Sequence, residues 1–508
     1  MLLKTSDDKL LLSTHSGRVF LGLDIPDISI LIIYSVLVIT GLTNHEFWRD
    51  ELQAWFLVKN EIGDIFYALR YEGHPYLWHF ILWTTQQFYD SIVTLKIWNF
   101  IFSFGTVYLI LRYAPFNKLF KYLIVFNYFF IYEYSVISRN YMISLFIIFL
   151  LIINLNRENG KNQIANGLLI FLGLQTNFHA IIVITCIIIY YASKEFENGN
   201  KLFKNLRLFS NVSGSMKIYV SFYLVGMIIA YLSLKPPIDA GYATETTLTF
   251  DILKLLSLNS SLLNAFAPLG SMETWDISTI HLSDWTYLLF FLILFFITFQ
   301  LISNLRIFLA FILSIVFFYT FSYMKFFGYF RHHGFMMISF LVFYWILKGA
   351  SNKNNFIIKD SIARVSYVVM IFTFFLSCIS GFYCLYRDIK EPFSNAKNVA
   401  QYLHQDRFAD YLIIGIPDFQ MTSVSGYLGK ELFHLETNQF ASHVIWNRDR
   451  LSELDTMALI SSLNKTHENI LLISDQELHK TGLTNLTEFE GSISREDYYI
   501  YEFTKSTK

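Results

Sequence analysis

The chain has 508 residues and a formal net charge of −1, with 54% of residues hydrophobic, 18% aromatic and only 16% charged, where a soluble globular protein carries roughly 25% charged residues. A mean hydropathy of +0.42 excludes a soluble enzyme, and the near-zero charge leaves no global field for nucleic acid. This is the composition of a polytopic membrane protein.

The N-terminus carries Lys4, Lys9 and Arg18. A full-length apolar span without a small-residue cleavage site follows, so no processed signal peptide is expected. Apolar runs predict eleven membrane-spanning helices, near 28–44, 96–113, 119–133, 140–155, 165–177, 179–193, 217–234, 285–303, 307–323, 334–349 and 365–386, because exposed backbone is not tolerated in lipid. Alternate loops divide the 27 upstream Lys and Arg residues eighteen to nine when the N-terminus is placed in the cytoplasm, as the positive-inside rule requires. The odd number of spans then puts the C-terminus outside the cytoplasm, in a plasma or inner membrane. Residues 75–89 are apolar but too short to cross, and are expected to lie along the outer interface.

The first outer loop, residues 45–95, is rich in acids. Leu52, Trp55, Phe56, Ile62, Ile65, Phe66 and Leu69 recur at helical spacing, which predicts short amphipathic helices on the bilayer surface. Asp50 and Glu51 sit there as consecutive residues, which point in different directions on a helix. One acid can act as a base while the other holds a neighbour such as Arg49; the alternative is a pair of solvated interfacial charges. Farther on, YEYSVISRNY places Glu133 and Arg139 at the outer end of the third and fourth spans, as a functional pair or a structural ion pair. KFFGYFRHHGF gathers Lys325, Arg331, His332 and His333. Cations on an outer face run against the positive-inside trend, so these residues either hold an anion such as phosphate or snorkel to headgroups. His179, in QTNFHA, is a fainter candidate. Asp50, Glu51, His74, His79 and Glu133 are conceivable metal ligands, but no fixed ligand spacing is present. The cysteines, Cys186, Cys378 and Cys384, lie in apolar runs without metal or disulfide spacing.

Charge density rises near Arg387: 30 of the last 122 residues are charged, against 49 of the first 386. Residues 1–386 therefore read as the membrane domain and 387–508 as a small soluble α/β domain. In the latter ADYLIIGIP, ENILLIS and DYYIYEFTK read as strands and NAKNVAQYLHQ as a helix.

WRDELQAW (48–55), GHPYLWHF (73–80) and SRNY (138–141), in this order and on one predicted face, resemble the C-type integral-membrane glycosyltransferases. These enzymes use polyprenyl-phosphate-linked sugars and include the protein O-mannosyltransferases and the lipid A aminoarabinose transferases. Asp50-Glu51 matches the acidic pair that follows their first span, and His74-Pro75-Tyr76-Leu77 their His-Pro-Pro-Leu element, with Tyr76 replacing a proline. SRNY is similar to their aromatic-and-Arg motif. The resemblance implies an enzyme transferring a hexosyl or pentosyl group, with inversion, from a polyprenyl-phosphate carrier to a glycan, lipid or protein acceptor. Asp50 would be the base with Glu51 in support. His74, Glu133, Arg139, Tyr141, His179, Lys325, Arg331 and His332 would bind substrate. No cofactor is required; a divalent ion is compatible with the motif. The rival readings are a flippase or export component, and a polymerase, for lipid-linked glycans.

Overall fold

The computed structural model describes residues 22–156, 162–198, 213–241, 249, 251–268, 295–349 and 360–503, other than 452, 468, 480 and 481. The membrane part consists of helices α1 (Ile25–Asn44), α2 (Arg49–Leu57), α3 (Ile62–Glu72), α4 (Leu77–Gln86), α5 (Val93–Tyr113), α6 (Lys118–Val125), α7 (Tyr141–Asn156), α8 (Gln163–Leu174), α9 (Phe178–Asn198), α10 (Gly214–Leu234), α11 (Ile252–Phe266), α12 (Leu305–Met324), α13 (Phe330–Gly349) and α14 (Asp360–Lys390). Six of the described helices, α1, α5, α9, α10, α12 and α14, are long and apolar enough to cross a membrane. The shorter α7 and α8 are apolar as well.

Burial sorts these helices by position. α7 and α13 are buried on nearly every face, the mark of inner helices. α10 turns Leu224, Val225, Ile228, Tyr231 and Leu232 outward, as a lipid-facing helix does. Lipid gives no hydrophobic drive between helices, so close packing and buried hydroxyls do more of the joining. The Ser314 and Ser339 hydroxyls, 2.6 Å apart, link α12 to α13 in this way.

Two elements depart from the hydropathy reading. The predicted span 119–133 is broken: α6 ends at Val125, and one π turn covers Phe129–Glu133. Asn127 marks the break: its Oδ1 accepts from the backbone N–H of Phe129 (2.9 Å), in place of the carbonyl that a continuous helix supplies, and from that of Phe130 (3.2 Å), which also donates to the Asn127 carbonyl (3.0 Å). α11, not predicted, packs against α13; Lys254, Asn259, Ser260, Ser261 and Asn264 had hidden it by diluting its apolar signal. Of the predicted span 285–303, residues 285–294 lie outside the described residues. α4 has ten residues, about 15 Å of helix, and is too short to cross, in line with its interfacial reading.

The tail folds as an α/β domain. Strands β1 (Leu412–Ile416), β2 (Leu432–His434), β3 (Gln439–Ala441), β4 (Ile470–Ser474), β5 (Leu483–Phe489) and β6 (Tyr498–Phe503) form one sheet in the order β3-β2-β1-β4-β6-β5. β2, β1 and β4 run parallel; β3 pairs antiparallel with β2, β6 antiparallel with β4, and β5 antiparallel with β6, so that only β3 and β6 oppose the others. Its helices are α15 (Ala396–Leu403), α16 (Asp418–Leu428) and α17 (Glu453–Thr466). The predicted strands in ADYLIIGIP, ENILLIS and DYYIYEFTK are β1, β4 and β6, and the predicted helix is α15.

This domain sits directly on α2. Gly426 of α16 allows the contact: a Cβ there would stand 2.5 Å from Leu52 Cδ1. Gln53 exchanges two hydrogen bonds with the backbone of Val444, at 2.6 and 3.0 Å, and the Arg49 N–H donates to buried Glu496 at 3.0 Å.

At the end of α1, His45 lies fully buried between two carboxylates, with Nδ1 2.8 Å from Asp388 and Nε2 3.0 Å from Glu51. Burial pushes its pKa down, but the charges of Asp388 and Glu51 more than reverse this and raise it to about 9. Because the folded pKa lies above the free value of 6.5, the stability conferred by His45 is complete below pH 6.5 and is lost as pH rises through about 9. The apparent melting temperature in detergent should therefore fall across that window. His45→Gln should cost about 3–5 kcal/mol at neutral pH, the usual penalty for removing one member of a buried charge group, and should flatten the fall. An unchanged pH profile in the variant would show that another group titrates.

Candidate functional site

Asp50 and Glu51 occupy the first turn of α2, where the helix dipole favours acids. Their side chains diverge, as consecutive helical residues must. Glu51 turns inward and is fully buried. It accepts from the backbone N–H of Ser138 (2.6 Å), from His45 (3.0 Å) and from the backbone N–H of Trp48 (3.3 Å). It therefore anchors the 134–140 connection to the start of α2, and the residue after Ser138 is Arg139.

Asp50 turns the other way and keeps about a quarter of its side chain exposed. Its Oδ2 accepts a hydrogen bond from Arg139 Nη1. Arg331 Nη2, from the start of α13, stands 3.5 Å from the same oxygen, and Arg49 Nε lies 3.9 Å from Oδ1. Arg139 and Arg331, 192 positions apart in sequence, thus meet on one atom. Burial pushes the Asp50 carboxyl up, but the guanidiniums of Arg139, Arg331 and Arg49 outweigh it and hold the pKa at about 2. Arg49 is shared, since its Nε lies equally 3.9 Å from Glu496 Oε1, whereas Arg139 and Arg331 both face Asp50, so cations outnumber carboxylates beside the membrane edge.

Around this group, His74 Nε2 accepts from Arg139 Nη2 at 3.2 Å, which makes its ring neutral; burial first, then the Arg139 charge, holds its pKa well below the usual value. Tyr141 joins through His332. The Tyr329 N–H donates to His332 Nδ1 at 2.9 Å, so Nε2 carries the proton and donates to Tyr141 Oη at 3.2 Å. His179 stacks on the His332 ring, centroids 5.0 Å apart. Gly328, at φ +88° in the turn before α13, supplies the left-handed conformation that brings His332 and Arg331 round to this side. Arg331 also lies over the rings of Tyr329 (4.9 Å) and Trp48 (5.4 Å).

Two predicted substrate residues lie elsewhere. Lys325 ends α12 with an exposed side chain and makes no ion pair with Asp50; the turn through Gly328 separates it from Arg331. Glu133 is buried in the π turn, where it accepts from the Tyr128 hydroxyl. The ion pair weighed for Glu133 and Arg139 does not form, since Arg139 is taken by Asp50. Among the described residues no three His, Cys, Asp or Glu side chains converge as metal ligands.

One acid of the first outer loop was not singled out by the sequence reading. Glu72, at the end of α3, accepts from Gln53 Nε2 at 2.8 Å. Burial pushes its pKa up to about 7; the Gln53 hydrogen bond and Arg139 lower it, and Asp50 raises it. The available signal was its place two residues before His74 in the same loop. Asp50 and Glu72 thus form a pair whose surroundings drive their proton affinities apart, a recurrent sign of acid–base chemistry.

Neither a family model nor a curated protein matches the chain. Among solved structures, the chain is similar to ArnT from Cupriavidus metallidurans bound to undecaprenyl phosphate, at 9% identity over 94% of this chain and 98% of that one, with a TM-score of 0.47. It is similar to the apo state of the same protein at 9% identity over 95% and 99%, with a TM-score of 0.48.

The placement of Glu72 makes a spectroscopic prediction. A protonated carboxyl band in infrared difference spectra should titrate with a midpoint near pH 7 and vanish in Glu72→Gln. Its persistence in that variant would assign the proton to another residue.

Proposed function

We propose that the protein is a glycosyltransferase that moves one sugar from a polyprenyl-phosphate carrier, with inversion, to an acceptor at the membrane face bearing Asp50. That face is the extracytoplasmic one, with the N-terminus in the cytoplasm. The observation that carries this reading is the convergence of Arg139, Arg331 and Arg49 on Asp50 at the end of the helical bundle. It is supported by the order of the WRDELQAW, GHPYLWHF and SRNY motifs. Three cations held in place and only partly neutralised form a site for an anion, and Arg is the residue that grips a phosphate with two parallel hydrogen bonds.

In the proposed reaction the acceptor hydroxyl or amine attacks the anomeric carbon from the face opposite the phosphate. The bond between that carbon and the phosphate oxygen breaks, and its electron pair leaves with the phosphate. The acceptor's proton passes to a carboxylate. A carboxylate held at about pKa 2 is a poor base while three guanidiniums surround it. When the carrier phosphate takes the guanidiniums, Asp50 loses its partners and its proton affinity rises, so donor binding itself makes the base. Glu51, occupied by His45 and two backbone N–H groups, acts by positioning the Arg139 connection. In this reading Glu72, with its different proton affinity, serves as a second group for exchanging a proton with the acceptor. The sugar is a hexose or pentose, and the acceptor a glycan, lipid or protein.

Asp50→Asn separates binding from chemistry. It removes the carboxylate that competes for the guanidiniums, so polyprenyl phosphate should bind at least as tightly as to wild type. Sugar transfer should fall by roughly 10²–10⁴-fold, the usual contribution of a general base. Full turnover in a folded Asp50→Asn protein would overturn the assignment. Arg331→Lys retains the charge and loses the planar fork, and should lower turnover about tenfold or more; wild-type rates with lysine would reduce Arg331 to a diffuse charge.

A further inference from the structure

A second charged feature lies at the other end of the bundle. A cavity of about 650 Å³ opens among the connection after α5, the end of α13 and the start of α14. That volume falls within the usual range for small-molecule sites, about 300–1,000 Å³. Three helices fix its depth. α13 carries Arg331 in its first turn and Lys348 in its last, seventeen residues and about 25 Å apart. α14 carries Arg364 near its start, and near its end Asp388, which meets His45. α5 begins beside Lys96, whose Nζ donates to the His45 carbonyl at 2.7 Å, and ends just before Pro115. Each helix puts the Asp50 side at one end and the cavity at the other, separated by roughly the 30 Å of a hydrocarbon core.

The lining suits an amphipathic anion. Phe116 stacks on Tyr344, centroids 5.2 Å apart at 17°, and makes an aromatic wall. The Lys348 ammonium stands 5.2 Å from the centre of the Tyr344 ring. Asn117 donates to Tyr367 across the mouth. Lys348 and Arg364 supply two exposed cations and Asp360 one acid, a net charge of +1 on the lining. Beside Arg364 the surface becomes apolar and open, with Val365 53% and Val368 64% exposed, as on a lipid-facing helix.

We infer that this cavity seats the phosphate of an anionic phospholipid, at the membrane face opposite Asp50. The diester's single negative charge matches the lining, the cations lie at headgroup depth, and Val365 and Val368 continue the site into the acyl region. Basic pockets between helices near a charged leaflet recognise such headgroups. The site is independent of the glycosyl-transfer reading.

The full chain in neutral detergent should melt a few degrees higher, saturably, with added phosphatidylglycerol, but not with phosphatidylcholine or with inorganic phosphate at the same concentration. An equal rise with inorganic phosphate would show a free-anion site and overturn the lipid assignment. Lys348→Ala with Arg364→Ala should keep the melting temperature seen in phosphatidylcholine and lose the response to phosphatidylglycerol. Lys348→Arg with Arg364→Lys should retain it, as should Lys59→Ala, which alters an exposed cation beside Asp90. A response that survives the double alanine substitution, or is absent in wild type, would refute the site.

Discussion

The contact between Asp50 and the guanidiniums of Arg139 and Arg331 is the constraint around which the rest is arranged. Both arginine side chains are about nine-tenths buried, and a buried charge without a partner costs several kcal/mol. Asp50 therefore joins three pieces of chain that share no local sequence: α2, the 134–140 connection and the start of α13. Because its carboxylate remains about a quarter exposed, it is the member of the group that an incoming anion can displace.

The surroundings hold that contact in place. α2 has nine residues, too few for a helix to persist alone in water. It is held by Glu51 from within and by the tail domain from without. Glu51 ties the start of α2 to Ser138 and, through His45, to Asp388 at the far end of α14. Gln53 joins Val444 on one side and Glu72 on the other, so one amide couples the tail to a carboxylate of the site. Buried Glu496 meets the Arg49 N–H and is also bonded by the hydroxyls of Ser394 (2.6 Å) and Ser423 (2.9 Å). Through α2, the tail domain is part of the support that orients Asp50.

Hydropathy revealed most of the membrane fold because lipid leaves few alternatives to an apolar helix. It failed where a side chain competed with the backbone, as Asn127 does in the predicted third span, and where polar residues diluted a packed helix, as in α11. The acidic pair was legible as a motif, and its divergence followed from helical geometry. Which acid turned inward was not, since that depends on Ser138 and His45 arriving from elsewhere in the chain. Arg139 and Arg331 shared a predicted face and a chemical type, enough to suggest one partner. Lys325 had the same credentials, and only the turn at Gly328 separates it from them. Glu72 stood among the acids of the first outer loop without being singled out, because its altered proton affinity comes first from burial, which leaves no trace in the local sequence.

Charge conservation gives the proposed transfer a simple electrostatic form. With a carrier phosphodiester in place, three guanidiniums, one carboxylate and one diester sum to +1. After the sugar has left, the carboxylate has taken the acceptor's proton and the phosphate carries two negative charges, so the sum is again +1. The reaction moves one negative charge from Asp50 to the phosphate, and the guanidiniums that the phosphate has taken from Asp50 already surround the oxygen on which that charge lands. Such a shift needs little reorganisation of the surroundings, which is where preorganised sites gain most over water. The same arrangement accounts for the aspartate's low proton affinity before the donor arrives: with the phosphate absent, the carboxylate is the anion that the three arginines hold.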